Sequence, residues 1–305
     1  MKILYFTDSH LRTTVPKWRV DNFYETQFKK MHELVDIAKI RKCDVIVSGG
    51  DFFDEFAVGE KLINDVLNWR KSFNIPLLTV LGGHDIEARN LHLLSNTSIG
   101  VLFNTNVFAD WKSYPQFTSI NFTDELPKNL IADSSEKYKI IVIHNMIVPS
   151  NQKYPFEYLS PEQVQTNADL VLCGHWHSPF LERVNKTTFI NPGSLLRLTS
   201  AKGDMNRDVQ VLFIDTEKRE LEFIKLKSGK PYQEVFNIGG IEKEHELSEK
   251  SEKFKQFFSQ LKTFNVDYLN DFSLLLTSYG KQIGVESVIL EESIKRIEEI
   301  KRRGL

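Results

Sequence analysis

The sequence predicts an α/β (α+β) fold: a mixed sheet, or two stacked sheets, with helices outside, running to about residue 228, then a small α+β appendage over 229–305. Three observations carry this. Apolar runs of strand length alternate with runs of helical period from residue 2 to 83. Further short apolar runs follow one another beyond residue 139. After "KSGKPY" (227–232) the texture turns Lys/Glu-rich.

In chain order, "KILYFT" (2–7) reads as a buried strand. "DNFYETQFKKMHELVDIAKI" follows with Tyr24, Phe28, Met31, Val35 and Ala38 on one helical face. Then come strand "DVIVSGG", helix "GEKLINDVLNWRKSF" and strand "IPLLTVLGG", a β-α-β-α-β alternation. "KIIVIH" (139–144) and "DLVLCGH" (169–175) are further strands, with shorter ones at "PFLERV", "TTFINPG", "VQVLFID" and "LEFIKL". The last two flank Thr216 to Arg219 as a hairpin. In the appendage, "FKQFFSQL" places Phe254, Phe257, Phe258 and Leu261 on one helical face. "FSLLLTSYG" (272–280) is strand-like, and "LEESIKRIEEIKRRG" is a final amphipathic helix.

Composition excludes several classes. A formal net charge of -2 announces no global positive field for nucleic acid, although it leaves room for a local patch. Cys43 and Cys173 form no CxxC or close metal pair. No apolar run approaches a membrane span, and the first residues read as a strand rather than a signal peptide, so cytoplasm is the expected compartment and no membrane is expected as a partner.

Five of the eight histidines follow apolar strands: His10 in "FTDSHL", His84 in "LGGHD", His144 in "VIVIHN", His175 and His177 in "LCGHWH". Asp8 and Asp51 ("VSGGDFFD") hold equivalent positions. Strand ends of an open α/β sheet face one crevice, so residues distant in sequence converge there. Asp8/His10 and His175/His177 are i, i+2 pairs, which extended chain would place on one face. A mixed Asp/His set suits Mn²⁺, Fe²⁺ or Zn²⁺, and a central carboxylate, with Asp51 the natural one, can bridge two ions. A single histidine near a strand end is usually structural, the reading given to His32, His92 and His245. Five in step with two aspartates point to a metal site.

The ordered set "DSH", "GGDFFD", "GGHD", "VIHN", "GHWH" resembles the calcineurin-like metallophosphoesterase superfamily from residue 3 to about 227. "DSHL", "GDFFD", "IPLLTVLGGHD", "SIGVLF" and "NPGSLLRL" are similar, more narrowly, to the SbcD-type nuclease subunit, which processes DNA double-strand breaks with an SbcC-type ATPase. The superfamily resemblance implies a β-sandwich flanked by helices. It implies two divalent ions, with Mn²⁺ preferred, one held by Asp8, His10, Asp51 and His177 and the other by Asp51, His144 and His175. His84 would act on the leaving group as acid or donor, with Asp85 orienting it, in a displacement at phosphorus without a covalent intermediate. The family pattern at "LGGHD" has Asn where this chain has Gly83, and that Asn supplies an oxygen to the second ion. The resemblance therefore implies a weakened second site and slow or strongly Mn²⁺-dependent cleavage. Gly82 reads as the turn residue.

Three loops bear on substrate. Arg12, Lys17, Trp18 and Arg19 lie between His10 and the first helix; Lys153, Tyr154 and Tyr158 follow His144; Arg197, Lys202 and Arg207 follow the Pro192–Ser194 turn. Together they would track a phosphate backbone and stack on an end base. Gly193 and Ser194 are read as wall, since Ser194 lacks a GxSxG elbow. Lys17, Arg19, Lys153, Ser194 and Arg197 are the substrate-facing candidates.

Three functions remain open: a DNA exonuclease or endonuclease subunit, a small-substrate phosphodiesterase or phosphatase, and a catalytically weakened DNA-end scaffold. The SbcD-type resemblance further implies homodimerisation, a cap contributing to DNA binding, and a helical segment docking on the ATPase. Residues 229–305 are short for both modules. The "FKQFFSQLKTF" face reads as cap core, and the final helix, with Leu290, Ile294 and Ile297, as the docking candidate. The compact length suggests a phage or other small-genome version, which would place it in host cytoplasm.

Overall fold

A computed structural model describes residues 1–151, 153–263, 276–277, 280–281 and 284–302. Its elements begin with β1 (Lys2–Phe6), α1 (Phe23–Arg41), β2 (Val45–Ser48), α2 (Glu60–Lys71), β3 (Leu77–Thr79) and α3 (Ser98–Asn104). Then follow β4 (Phe117–Ile120), β5 (Asn129–Leu130), β6 (Ile140–His144), β7 (Gln165–Thr166), β8 (Leu170–Gly174), β9 (Phe180–Val184) and β10 (Thr187–Asn191). α4 (Lys202–Asn206), β11 (Gln210–Asp215), β12 (Glu220–Lys225) and α5 (Tyr232–Val235) complete the first of two compact units, Met1–Phe236.

The two-sheet alternative is the one found. One sheet runs β12-β11-β1-β2-β3 and the other β4-β6-β8-β10-β9, with β5-β7 a separate pair. In the first, β1, β2 and β3 are parallel and β11 antiparallel to β1; in the second, β4, β6, β8 and β10 are parallel and β9 antiparallel to β10. Strand alternation explains the stacking. Ile3 and Tyr5 of β1 join Val45, Val47, Leu78, Val142, Leu170 and Leu172 in the layer between the sheets. Leu4 and Phe6 point the other way, onto Met31, Leu34 and Val35 of α1 and Leu62, Val66 and Trp69 of α2. Ile141, Ile143, Val171 and Cys173 form a third cluster on the far face of the second sheet. Both faces of each central strand are covered, which is why these strands read as unbroken apolar runs. Asn22 caps α1 by accepting from the Glu25 N–H, and Lys42 ends it in a left-handed turn.

The first compact unit closes after Phe236. The reason is local: the Arg19 guanidinium lies 5.1 Å from the Phe236 ring centroid, and the Val20 N–H donates to the Val235 carbonyl. The second unit, Asn237–Leu305, contains helices Ile238–Thr263 and Ser287–Arg302. The strand expected at 272–280 is replaced by helix where described, at Leu276, Thr277 and Gly280, and its remainder lies outside the described residues. The side chains of the "FKQFFSQL" face and of Ile297 also lie outside them; Leu290 is buried and Ile294 half-buried. Among the described residues no helix is long and apolar enough to cross a membrane.

Candidate metal centre

Parallel register brings the site together. In the first sheet Phe6 pairs with Ser48 and Ser48 with Thr79, so the turns carrying Asp8, Asp51 and His84 leave at one edge. In the second, His144 pairs with Gly174, which sets His144 beside His175. The first two turns are tied by the Asp8 N–H to the Gly50 carbonyl and the His10 N–H to the Asp51 carbonyl. The two sheets are joined by the His175 N–H, which donates to the Asp8 carboxylate at 3.1 Å. Asp8, His10, Asp51 and His175 all have positive φ, between 39° and 76°. Four non-glycine residues in that region store strain, as functional turns do.

Among the described residues, three sets of groups place ligand atoms within 4.8 Å of one another: Asp8, His10 and His177; Asp51, His144 and His175; and His10, Asp51 and His84. His10 Nε2 faces His177 Nε2 at 3.1 Å, and His144 Nε2 faces His175 Nδ1 at 3.2 Å. Asp51 Oδ2 stands between the two sets, 3.7 Å from His10 Nε2 and 3.1 Å from His144 Nε2. A cation before each pair lets both lone pairs point at it, so the donor set fits two borderline divalent ions with Asp51 shared. His144 Nδ1 lies 2.7 Å from the Gly49 carbonyl, which can only accept; Nδ1 therefore carries the hydrogen and Nε2 is the ligating nitrogen. Thr7 Oγ1 donates to Asp8 Oδ2 at 2.7 Å, leaving Oδ1 to face His177 at 3.7 Å.

The charges fit as well. Burial opposes ionisation of Asp51, but His144, with His175 and His10, holds its carboxyl well below the usual range. Burial works against the His144 cation, yet Asp51 and Asp8 raise it to about 9. For His177 burial dominates and brings it down to about 4, leaving a neutral imidazole. Divalent ions would take the place of the protons this cluster otherwise attracts.

The LGGHD turn separates into distinct roles. Gly82 has no left-handed backbone; it is required by close approach, because a Cβ there would lie 2.0 Å from Asp51 Oδ1. Gly83 has room, since a Cβ would meet only the Phe122 ring at 3.5 Å. A side chain would be accommodated at the position where the superfamily pattern has Asn. His84 is exposed; its N–H donates to Asp51 Oδ1 at 2.9 Å and its Nδ1 donates to the Asp54 carbonyl at 2.7 Å. Asp85 does not orient His84. It is buried and accepts from the Phe52, Phe53 and Gly82 N–H groups, pinning the turn after β2 to the turn after β3. Burial, then the neighbouring Asp51 charge, pushes its carboxyl up to about 6.

Several substrate candidates are corrected. Arg19, 9% exposed, forms a two-pronged pair with Asp21 and donates to the Arg197 carbonyl. Arg197 is buried and donates to the carbonyls of Arg207 and Lys230. Arg207 is buried against Asp204 and the Ser194 loop. These guanidinium groups are occupied inside the chain and face no substrate. Ser194 is fully buried, its hydroxyl donating to the Leu196 carbonyl and accepting from Arg207. Its loop backs the centre, because the Leu195 N–H donates to the carbonyls of Thr7 and Asp8. Lys17 and Lys153 are exposed.

Sequence reasoning passed over Asp54, three residues beyond Asp51 in "GDFFD". Its carboxylate meets Arg12 at 2.7 Å and His10 Nδ1 at 3.2 Å, the latter an ion-pair contact off the hydrogen-bond angle. It also passed over Trp176, between His175 and His177, whose ring centroid lies 5.0 Å from Tyr154 and 6.2 Å from Phe156. Tyr158 completes the cluster, 5.3 Å from Tyr154.

A model of the calcineurin-like phosphoesterase superfamily domain matches residues 1–218. Over 288 residues the chain is 23% identical to the DNA double-strand break repair protein Mre11 of Thermoplasma acidophilum, covering 81% of this chain and 71% of that protein. It is 20% identical to the double-strand break repair protein MRE11 of Encephalitozoon cuniculi, covering 83% of this chain but only 52% of that one. Among solved structures, the phosphoesterase Yfce from E. coli is similar at 15% identity over 75% of this chain and 96% of its own, with a TM-score of 0.41. The matched span takes in every strand of both sheets except the edge strand β12 and every residue of the Asp/His centre, and the chain belongs to the calcineurin-like metallophosphoesterase superfamily.

Proposed function

We propose that this metallophosphoesterase is a DNA nuclease subunit of the SbcD kind, cutting phosphodiester bonds near unpaired DNA ends with two Mn²⁺ ions. The observation that carries the reading is the aromatic cluster of Tyr154, Phe156, Tyr158 and Trp176. Phe156 is 41% exposed, and Trp176 lies between two of the ligand histidines. Aromatic rings beside a phosphoester centre are what successive unpaired bases stack on. The two distant relatives with DNA-break repair in their names support the same reading.

Bound divalent ions polarise the phosphoryl group and acidify water. Asp8, His10, Asp51 and His177 would hold one ion and Asp51, His144 and His175 the other. His84 does the proton work of the chain itself. With Nδ1 donated to the Asp54 carbonyl, its protonated ring presents Nε2–H to the oxygen that leaves phosphorus. Asp51 positions the residue through the His84 N–H. The partners that go with this reading are DNA, an SbcC-type ATPase docked through the segment beyond Phe236, and a second copy of the chain, in cytoplasm or host cytoplasm.

One observation favours a second reading. Arg19, Arg197 and Arg207 are buried, which thins the basic track a duplex backbone requires and suits a small-substrate phosphodiesterase. A paired assay with Mn²⁺, on linear DNA with an unpaired end and on a chromogenic diester, separates the two. The nuclease reading expects DNA cleavage that falls at least about tenfold when Trp176 and Phe156 are replaced by Ala. Cleavage of the small ester alone would overturn it.

A further inference from the structure

The buried face of α1 carries two polar side chains among its apolar ones: Gln27, with no exposed surface, and Lys30, 2% exposed. At i and i+3 they are neighbours on the helix. A lysine is almost never buried so fully without an ionic partner. Lys30 has no ion-pair partner among the described residues. Burial, then the guanidinium groups of Arg19, Arg207 and Arg197, holds its ammonium well below the usual lysine range. A methionine would fill the same space without that cost.

The amine is there for what it holds. Lys30 Nζ donates to the Leu195 carbonyl at 3.1 Å. Every carbonyl from Ser194 to Arg197 is held by a buried cationic side chain, since Arg207 donates to those of Ser194 and Leu196 and Arg19 to that of Arg197. With its carbonyls fixed, the segment turns its N–H groups to the metal ligands. The Ser194 N–H donates to the His177 carbonyl at 3.0 Å, and the Leu195 N–H to the carbonyls of Thr7 and Asp8 at 3.1 and 3.2 Å. Leu195 therefore joins Lys30 to Asp8 directly. Gln27 serves the backbone beyond His10. Its amide donates to the Arg12 carbonyl at 2.8 Å and accepts from the Arg12 N–H at 3.1 Å, a two-bond clamp two residues past that ligand.

We infer that Lys30 and Gln27 are positioning residues for one ion site, that of Asp8, His10 and His177, and that α1 sets the affinity of that site through the backbone behind it. Neither side chain hydrogen-bonds a ligand side chain; each acts through a peptide. α1 can bear this role because Met31, Leu34 and Val35 lock it onto Leu4 and Phe6 of β1, the strand that leads into Asp8. Groups hydrogen-bonded behind the ligands of a metal tune how tightly it binds. The reach is selective. None of the hydrogen bonds of α1 among the described residues runs to His144 or His175; the Gly49 carbonyl orients His144 instead.

The inference rests on the metal centre and holds whichever phosphoester is cut, and its test reads metal binding rather than turnover. Mn²⁺ is titrated by calorimetry into the full chain and into Lys30→Met and Gln27→Met, which keep the side-chain length and lose the hydrogen bonds. Each variant should weaken the tighter Mn²⁺ equilibrium, which the ligand missing at Gly83 assigns to the Asp8 site, about tenfold, and leave the weaker one as it is. Met31→Ala, the neighbouring buried residue of α1, is the control. It should lower the denaturant midpoint and leave both affinities unchanged. Replacing a buried amine by an apolar group of its size costs little folding stability, and should Lys30→Met fail to fold, Gln27→Met decides. Unchanged affinity at the tighter site, equal weakening of both sites, or equal weakening by Met31→Ala would overturn the inference and leave the metal centre standing. A wild-type chain that binds no Mn²⁺ would remove both.

Discussion

His84 stands at the centre through two contacts, its N–H on Asp51 Oδ1 and its Nδ1 on the Asp54 carbonyl, while its ring lies 4.8 Å from that of His10. Under the proposed function it acts on the leaving oxygen. His84→Ala should therefore slow esters with alkoxide leaving groups by about 10²–10⁴-fold, and spare 4-nitrophenyl esters, whose leaving group needs no proton. Metal content by elemental analysis should be unchanged; equal slowing of both ester classes would remove His84 as the acid. The metal-ligand candidates were legible as residues because five histidines and two aspartates fall in step at the ends of successive apolar runs, where any one alone would read as structural. The role of Asp85 was not legible, since a carboxylate beside a histidine reads alike whether it serves the ring or three backbone N–H groups. Asp54 lay in plain view in "GDFFD", and only the fold shows that its carbonyl and carboxylate serve two different histidines.

The loop after β10 shows how an element can hold a site it does not enter. Arg207 donates to the Ser194 and Leu196 carbonyls, to the Ser194 hydroxyl and to Asp204, while Asp204 also accepts from the N–H groups of Leu198 and Thr199. Ser194 pairs in turn with Thr7, next to Asp8. Arg207→Ala leaves a buried Asp204 without its cation and should cost about 3–5 kcal/mol in denaturant unfolding. It should also weaken the Asp8 ion site; a stability change under about 1 kcal/mol would show the network to be incidental. Charge type alone assigned Arg19, Arg197 and Arg207 to substrate. The sequence contains no sign of their burial, because an arginine with every N–H satisfied reads like a solvated one. The strands were legible for the opposite reason, since covering both faces leaves an unbroken apolar run.

At the scale of the whole molecule, every candidate ligand among the described residues lies within Met1–Phe236, and the ligands come from both sheets: Asp8, His10 and Asp51 from one, His144, His175 and His177 from the other. The choice between one mixed sheet and two stacked ones stayed open in the sequence because strand order is a long-range property that apolar runs do not encode. The binuclear centre shared through Asp51, with a second site weakened at Gly83, is the claim on which the rest depends. Its most direct test is Mn²⁺ titration of the full chain with metal counted per protein. Two ions should bind, the second more weakly. Gly83→Asn should tighten only the second, and Asp51→Ala should lose both. A single ion at saturation, or a second site whose affinity Gly83→Asn leaves unchanged, would contradict it.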